Sequence, residues 1–84
     1  MQEITMYTTS TCPYCRAARE LFRSKNIRFI EIDVQSTERR TEMINRSGRR
    51  TVPQIYFGDQ HIGGYDDLAQ IESNGELFEK LAPL

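Results

Sequence analysis

The sequence is poor in the residues that build metal sites. Its 84 residues include one histidine, two cysteines and no tryptophan. A tetrahedral structural zinc site needs four ligands, so one cysteine pair and a single histidine, His61, argue against zinc. A disulfide between Cys12 and Cys15 would close too short a loop to stabilise the fold much. A redox pair is therefore the main interpretation, with a permanent disulfide or two inert buried thiols as alternatives.

The chain also lacks an excess of charge and any long apolar segment. Its 11 basic and 12 acidic residues give a net charge of -1, which provides no general attraction to nucleic acid or to an anionic membrane. No apolar run approaches the roughly 20 residues of a transmembrane helix. The first residues have neither the basic segment nor the apolar core of a secretory signal peptide. We therefore expect a cytoplasmic protein, in a compartment where thiols are kept reduced.

The composition is that of one small folded domain. Hydrophobic residues make up 38% and charged residues 27% of the chain, as in globular rather than disordered proteins. There is no internal repeat, linker or low-complexity segment. We therefore treat residues 1–84 as a single domain, near the size at which one core is just sufficient.

The two cysteines lie at the junction between a predicted strand and a predicted helix. Residues 4–8 alternate apolar and polar side chains of β-favouring types, and apolar residues recur at helical spacing over residues 14–22. Pro13 suits the first turn of that helix, where its missing N–H costs no hydrogen bond. Cys12 would then face the free N–H groups and partial positive charge of a helix N-terminus, which stabilise a thiolate. In a chain without secretory features, this C-x-x-C is typical of a thioredoxin-like redox motif.

The rest of the pattern predicts an α/β (α+β) fold with the element order βαβαββα. A strand, a helix and a strand in succession imply a parallel pair joined by a right-handed crossover. A Gly-Asp turn between two β-type segments predicts an antiparallel hairpin. The elements predicted after the first helix are a strand at residues 27–34, a helix from residue 36 or 37 to about residue 47, hairpin strands at residues 51–57 and 60–62, and helical segments from residue 65 and at residues 77–81.

Three separated motifs closely resemble those of the dithiol glutaredoxins with a C-P-Y-C site. The motifs are Cys12-Pro13-Tyr14-Cys15, Thr51-Val52-Pro53 and Gly63-Gly64-Tyr65-Asp66-Asp67, and the resemblance covers nearly the whole chain. It implies a thioredoxin-like fold, a four-stranded mixed sheet flanked by helices, with a cis peptide bond before Pro53. It also implies glutathione as the reducing co-substrate and no metal cofactor.

The resemblance assigns the chemistry to the two cysteines. Cys12 matches the nucleophile and Cys15 the resolving cysteine. The residue pattern supports the same division, because the sulfur at the helix N-terminus is the more accessible one, whereas Cys15 lies inside the first turn.

The resemblance also implies a glutathione-binding site. Thr51 and Val52 would pair their backbone with the cysteinyl amide, and the two aspartates would anchor the γ-glutamyl end. Arg40 would contact the glycyl carboxylate. The residues implied to bind glutathione are Tyr14, Arg40, Thr51, Val52, Pro53, Gly64, Tyr65, Asp66 and Asp67.

Each of these binding roles has a simpler alternative. Tyr14 would be a core aromatic, Thr51 and Val52 ordinary strand residues, and Arg40 part of a solvated helix face. Asp66 would cap a helix, a role compatible with binding.

The sequence departs from the family at one point. Many glutaredoxins carry a lysine two or three residues before the first cysteine, and here those positions hold Thr9 and Ser10. The helix dipole and Arg16, together with Arg40 or the Arg49-Arg50 pair, would have to compensate for the missing lysine.

The predicted function is glutathione-dependent reduction of protein disulfides and of glutathionylated proteins. We expect a monomer, with no nucleic-acid or membrane partner. One alternative is a redoxin served by a flavoprotein reductase, which would not need the aspartate pair that follows Gly63-Gly64. The other is an iron–sulfur cluster carrier that uses glutathione as a ligand; Pro13 stiffens the turn and Cys15 offers competing intramolecular oxidation, which argue against it.

Overall fold

The computed structural model describes residues 1–83, which form four strands and four helices. The elements are β1 (Ile4–Thr8), α1 (Pro13–Ser24), β2 (Ile30–Asp33), α2 (Thr37–Ser47), β3 (Gln54–Phe57), β4 (Gln60–Gly63), α3 (Tyr65–Ser73) and α4 (Leu77–Leu81). The predicted element order is therefore confirmed, and the helical segment predicted at residues 77–81 is a separate short helix, α4.

The four strands form one mixed sheet in the order β2-β1-β3-β4. β1 runs parallel to β2 and antiparallel to β3, and β3 and β4 form an antiparallel hairpin. β1 lies inside the sheet because its side chains are buried on both faces, with Thr5 as its one partly exposed residue. The predicted four-stranded mixed sheet is confirmed.

Two strands are shorter than their sequence pattern predicted. β2 begins later because the end of α1 includes the residues before it: Asn26 has a left-handed φ of 57°, and the Ile27 N–H donates to the Phe22 carbonyl at 2.9 Å. β3 begins at Gln54 because Pro53 has no N–H to donate to a strand ladder. The Thr51–Pro53 segment is consequently free of regular structure.

Helices cover both faces of the sheet. Alternate residues of the central strands point to opposite faces, and each set meets a different group of helices. The smaller cluster packs Tyr7 of β1 and Tyr56 of β3 against Met43 of α2. The larger cluster joins the other face of the sheet to α1, α3 and α4; its buried residues are Ile4, Met6, Ala18, Phe22, Ile27, Ile55, Phe57, Leu68, Leu77 and Leu81.

α2 begins and ends where the sequence indicated. The hydroxyl of its N-cap residue, Ser36, accepts from the Arg39 N–H at 3.2 Å, and Gly48 ends the helix with a left-handed φ of 71°. Within residues 1–83, no helix combines the length and the apolar character needed to cross a membrane.

Candidate functional site

Cys12 is the N-cap residue of α1. Its backbone is still extended, with φ -85° and ψ 118°, and Pro13 takes the first helical position as the sequence predicted. The Cys12 Sγ accepts from the Cys15 N–H at 3.4 Å, and its thiol hydrogen points to the Val52 carbonyl oxygen at 3.7 Å. The sulfur therefore meets a donor of the first helical turn and is partly exposed to solvent.

Cys15 lies one turn along the same helix and is fully buried, with 0% of its surface exposed. Burial raises the pKa of the Cys15 thiol to about 12, because a thiolate would lose its hydration there. At neutral pH Cys15 is therefore a protonated thiol that no large molecule can reach. Of the two cysteines, Cys12 alone is placed to attack a partner in solution.

A cleft of about 360 Å³ opens beside this pair of cysteines. It brings together eight of the residues predicted to bind glutathione, from three separate parts of the chain, together with Arg49. The lining residues are Tyr14, Arg49, Thr51, Val52, Pro53, Gly64, Tyr65, Asp66 and Asp67. Cys12 borders this cleft through its contact with Val52. The structure thus groups these residues; their roles in binding stay predictions.

A larger cavity, of about 570 Å³, lies elsewhere on the molecule. It is lined by residues 1–4 and 26–30 and includes neither a cysteine nor any predicted site residue. Its size alone does not make it the reactive site. Chemistry favours the smaller cleft.

Arg40 does not lie in the cleft. It is an exposed residue of α2, and the cation that lines the cleft is Arg49. The signal for Arg49 in the sequence was the basic pair directly before the Thr-Val-Pro motif, but sequence spacing could not decide between it and Arg40. The Arg49 Nη1 lies 3.7 Å from the Asp67 Oδ2, and both side chains are about half exposed, so this ion pair contributes little to stability.

Two tyrosines stand on the rim of the cleft. Their ring centroids are 6.4 Å apart, with an angle of 30° between the planes. Tyr14 is 61% exposed, so the alternative that it is a core aromatic is wrong. Tyr65, the first residue of α3, is partly buried and packs against the larger core cluster.

The start of α3 separates the two aspartates into different roles. Gly64 is the N-cap residue, and the Asp67 Oδ2 accepts from the Gly64 N–H at 2.9 Å. The prediction that Asp66 caps this helix is therefore wrong, because Asp67, at the third helical position, is the residue that can reach back. Asp66 is exposed at the cleft, and its side chain has no hydrogen bond or ion pair within residues 1–83.

Gly63 is required directly before this turn. Its φ of 120° is one that side chains rarely adopt, and a β-carbon there would overlap the Asp67 carboxylate. The glycine therefore lets Asp67 close the N-terminus of α3.

The Val52–Pro53 peptide bond is cis, as the resemblance implied. The Val52 carbonyl faces Cys12. Pro53 itself is buried, while Thr51 is exposed and Val52 is partly exposed.

Near Thr9, where many glutaredoxins carry a lysine, the structure places a different cation, Arg19 of α1. The Arg19 Nη2 donates to the Thr9 carbonyl at 3.2 Å, and its Nε pairs with Glu31 at 2.7 Å. Sequence spacing did not single out Arg19, since it lies on α1 and reaches back over the strand–helix loop. Ser10 accepts a hydrogen bond from Gln35 at 3.4 Å. Within residues 1–83, no group of three or more histidine, cysteine, aspartate or glutamate side chains is placed to hold a metal ion.

Known proteins are similar to this chain in sequence and in fold. A family model described as Glutaredoxin matches residues 4–62. Glutaredoxin 3 of Escherichia coli strain K12 is 47% identical over 78 residues, which cover 92% of this chain and 94% of that protein. Glutaredoxin of Pseudomonas aeruginosa is 42% identical over 78 residues, which cover 92% of this chain and 93% of that protein.

Solved structures agree. The solution structure of glutaredoxin from Brucella melitensis has a TM-score of 0.84 and 45% identity, over 96% of this chain and 89% of that one. The crystal structure of a buckwheat glutaredoxin–glutathione complex has a TM-score of 0.85 and 26% identity, over 95% of this chain and 76% of that one. The fold is therefore thioredoxin-like, and the family supports a thiol–disulfide oxidoreductase role. The chain belongs to the glutaredoxin family.

Proposed function

We propose that this protein is a glutathione-dependent thiol–disulfide oxidoreductase. The observation that carries the proposal is the pairing of a partly exposed N-cap thiol, Cys12, with a fully buried thiol, Cys15, beside a cleft of small-molecule size. The relation to a buckwheat glutaredoxin solved in complex with glutathione supports the choice of reductant.

The first step is attack by the Cys12 thiolate on one sulfur of the substrate disulfide. A new S–S bond joins Cys12 to that sulfur, the old S–S bond breaks, and the other sulfur leaves as a thiolate that takes a proton from water. With a glutathionylated protein as substrate, attack on the glutathione sulfur frees the protein thiol and leaves glutathione on Cys12.

The second step has two routes. In the monothiol route, the thiolate of a second glutathione attacks the mixed disulfide, which restores Cys12 and yields glutathione disulfide. In the dithiol route, Cys15 attacks Cys12, the bound partner leaves as a thiol, and two glutathione molecules later reduce the Cys12–Cys15 disulfide. Cys15 must give up its proton before it attacks, and its burial disfavours the thiolate.

The cleft offers partners for both charged groups of the γ-glutamyl residue of glutathione. The exposed Asp66 carboxylate suits the ammonium of that residue, and the first N–H groups of α3 suit its carboxylate. Val52 would offer its backbone groups to the cysteinyl amide in the manner of an added strand. Arg49 lines the cleft beside Asp67, at the γ-glutamyl end, and the contact of Arg40 with the glycyl carboxylate stays a prediction.

A coupled assay tests the proposal. Protein, glutathione, glutathione reductase, NADPH and a small glutathione mixed disulfide are combined, and NADPH oxidation is followed with wild type and with Cys12→Ser. Turnover that requires both glutathione and Cys12 supports the proposal. Turnover only when a flavoprotein reductase replaces glutathione would identify the protein as a redoxin served by that reductase. A visible absorption band in anaerobically purified protein would instead indicate an iron–sulfur cluster. The protein substrates, the monomeric state and the cytoplasmic location stay predictions.

A further inference from the structure

Gln54, the first residue of β3, is a fully buried polar side chain with 0% of its surface exposed. Its Nε2 donates to the Thr51 carbonyl at 3.0 Å and to the Thr51 Oγ1 at 3.1 Å. Its Oε1 lies 2.7 Å from the Nε2 of His61 on the neighbouring strand β4. Every polar atom of this amide therefore has a partner, and the chain His61–Gln54–Thr51 ends on the segment that lines the cleft.

These contacts determine which atoms donate. A backbone carbonyl can only accept, so the NH₂ group of Gln54 faces Thr51 and its amide oxygen faces His61. The His61 nitrogen at this contact must consequently carry a hydrogen. Burial, assisted by the nearby Arg49, lowers the pKa of His61, so the neutral ring with hydrogen on Nε2 is the form that makes the contact at neutral pH.

His61 is itself held in place by aromatic packing. Its ring stacks on Tyr56, with ring centroids 4.9 Å apart and 26° between the planes. The Arg46 guanidinium also lies over the Tyr56 ring, at 3.8 Å from its centroid. The His61–Gln54–Thr51 contacts therefore begin at a ring that is packed against Tyr56.

The geometry of one peptide unit links this chain to the cleft. The Thr51 carbonyl and the Val52 N–H belong to the same planar peptide, and in a trans peptide they point in opposite directions. Gln54 holds the carbonyl from the buried side, so the Val52 N–H faces the open side, and it has no backbone partner within residues 1–83.

We propose that Gln54, held by His61, is a positioning residue for the reaction with glutathione: it turns the Thr51–Val52 peptide so that the Val52 N–H is presented to the ligand. The inference rests on the proposed use of glutathione. Neither Gln54 nor His61 lines the cleft, so both act through Thr51.

The test compares three variants. Gln54→Leu removes the hydrogen bonds to both Thr51 and His61. His61→Phe keeps an aromatic ring on Tyr56 but removes the N–H that donates to the Gln54 amide oxygen. Gln2→Leu is the matched control, because the Gln2 Nε2 also donates to two carbonyls, of Lys80 at 3.1 Å and of Ala82 at 2.9 Å, far from the cleft. Urea unfolding of all three compares their stability, and steady-state kinetics measure KM for glutathione and kcat separately.

We expect Gln54→Leu to raise KM for glutathione about five- to ten-fold, with kcat at saturating glutathione nearly unchanged. His61→Phe should raise KM in the same direction by less, and Gln2→Leu should leave KM unchanged. A wild-type KM in Gln54→Leu, or an equal rise in Gln2→Leu, would overturn the proposal.

A second measurement works without glutathione. In ¹H–¹⁵N spectra of the free protein, the Val52 amide signal should move in Gln54→Leu and His61→Phe and stay in place in Gln2→Leu. If wild type does not use glutathione, the proposed function fails while this spectrum still reports on the Val52 amide. If glutathione is used but the Val52 signal does not move, the positioning role fails and the proposed function stands.

Discussion

The two walls of the cleft are built from different kinds of contact. On the wall that carries the cysteines, four consecutive residues supply the N-cap, the first helical residue, a rim tyrosine and the buried thiol. The opposite wall joins the Thr51–Pro53 segment to the start of α3, and its shape depends on Gln54 and Asp67. The cysteine wall is local helix geometry, whereas the binding wall is assembled by buried side chains that hold backbone in place.

This difference separates reactivity from recognition. Changes to the two cysteines should remove or redirect the chemistry and leave the glutathione site intact. Changes on the binding wall should weaken glutathione binding and leave the chemistry intact. The following predictions, in order of decreasing effect, test that separation.

Replacing Cys12 with serine should have the largest effect. The hydroxyl cannot take the place of the attacking thiolate, so reduction of both glutathione mixed disulfides and protein disulfides should fall to the uncatalysed background. The measurement is the coupled assay with each substrate, and binding of glutathione, followed by chemical-shift changes, should persist. Residual activity above background in this variant would show that Cys15 can act as a nucleophile despite its burial.

Replacing Cys15 with serine should affect one activity only. Removal of glutathione from a mixed disulfide needs the nucleophile alone, so it should stay near the wild-type rate. Reduction of a protein disulfide should fall by about ten-fold or more, since its mixed intermediate must then wait for an external thiol. An equal loss of both activities would contradict the assigned roles.

The two aspartates should separate binding from stability. Asp66→Ala should raise KM for glutathione about ten-fold, the effect of losing one charge-assisted hydrogen bond, with little change in the free energy of unfolding. Asp67→Ala should lower the free energy of unfolding by about 1 kcal/mol, because it removes the acceptor for the Gly64 N–H. Urea unfolding and steady-state kinetics on both variants make the comparison. Normal glutathione binding by a variant that carries both substitutions would place the γ-glutamyl site elsewhere.

The smallest effect should come from pH. Burial disfavours the charged form of His61 and lowers its pKa in the folded protein below 6.5, its usual value in the unfolded chain. Between the folded and the unfolded pKa, the unfolded chain binds more protons than the folded protein. His61 therefore contributes stability at neutral pH that is lost as the pH falls through this window. Urea unfolding between pH 5 and 7.5 should show a steeper decline for wild type than for His61→Phe, and parallel profiles would contradict a partly buried, neutral histidine.

The sequence predicted the parts of this protein that depend on short-range patterns. Alternation and helical spacing indicated every strand and helix, and Pro13 marked the start of α1. Strand ends were less predictable: the apolar alternation of residues 27–34 begins at Ile27, although the N–H of Ile27 belongs to the left-handed turn at Asn26 that ends α1.

The same limit explains which questions about site residues the sequence left open. Whether Tyr14 is exposed, whether Asp66 or Asp67 caps α3, and which arginine lines the cleft all depend on where other elements lie. Adjacent aspartates, or arginines in two nearby basic segments, cannot be assigned different roles from the sequence. Their positions relative to the cleft differ only in the folded chain.

By itself, then, the sequence determined that Cys12 caps a helix and that Cys15 follows it by one turn, since both facts arise within four residues. Only the tertiary structure decided which residues stand opposite the two cysteines across the cleft. The contact between Cys12 and the Val52 carbonyl joins residues 40 positions apart, and the one between His61 and Gln54 crosses a hairpin. Helical periodicity acts over a few residues, but contacts of this kind exist only after the sheet has brought distant segments together.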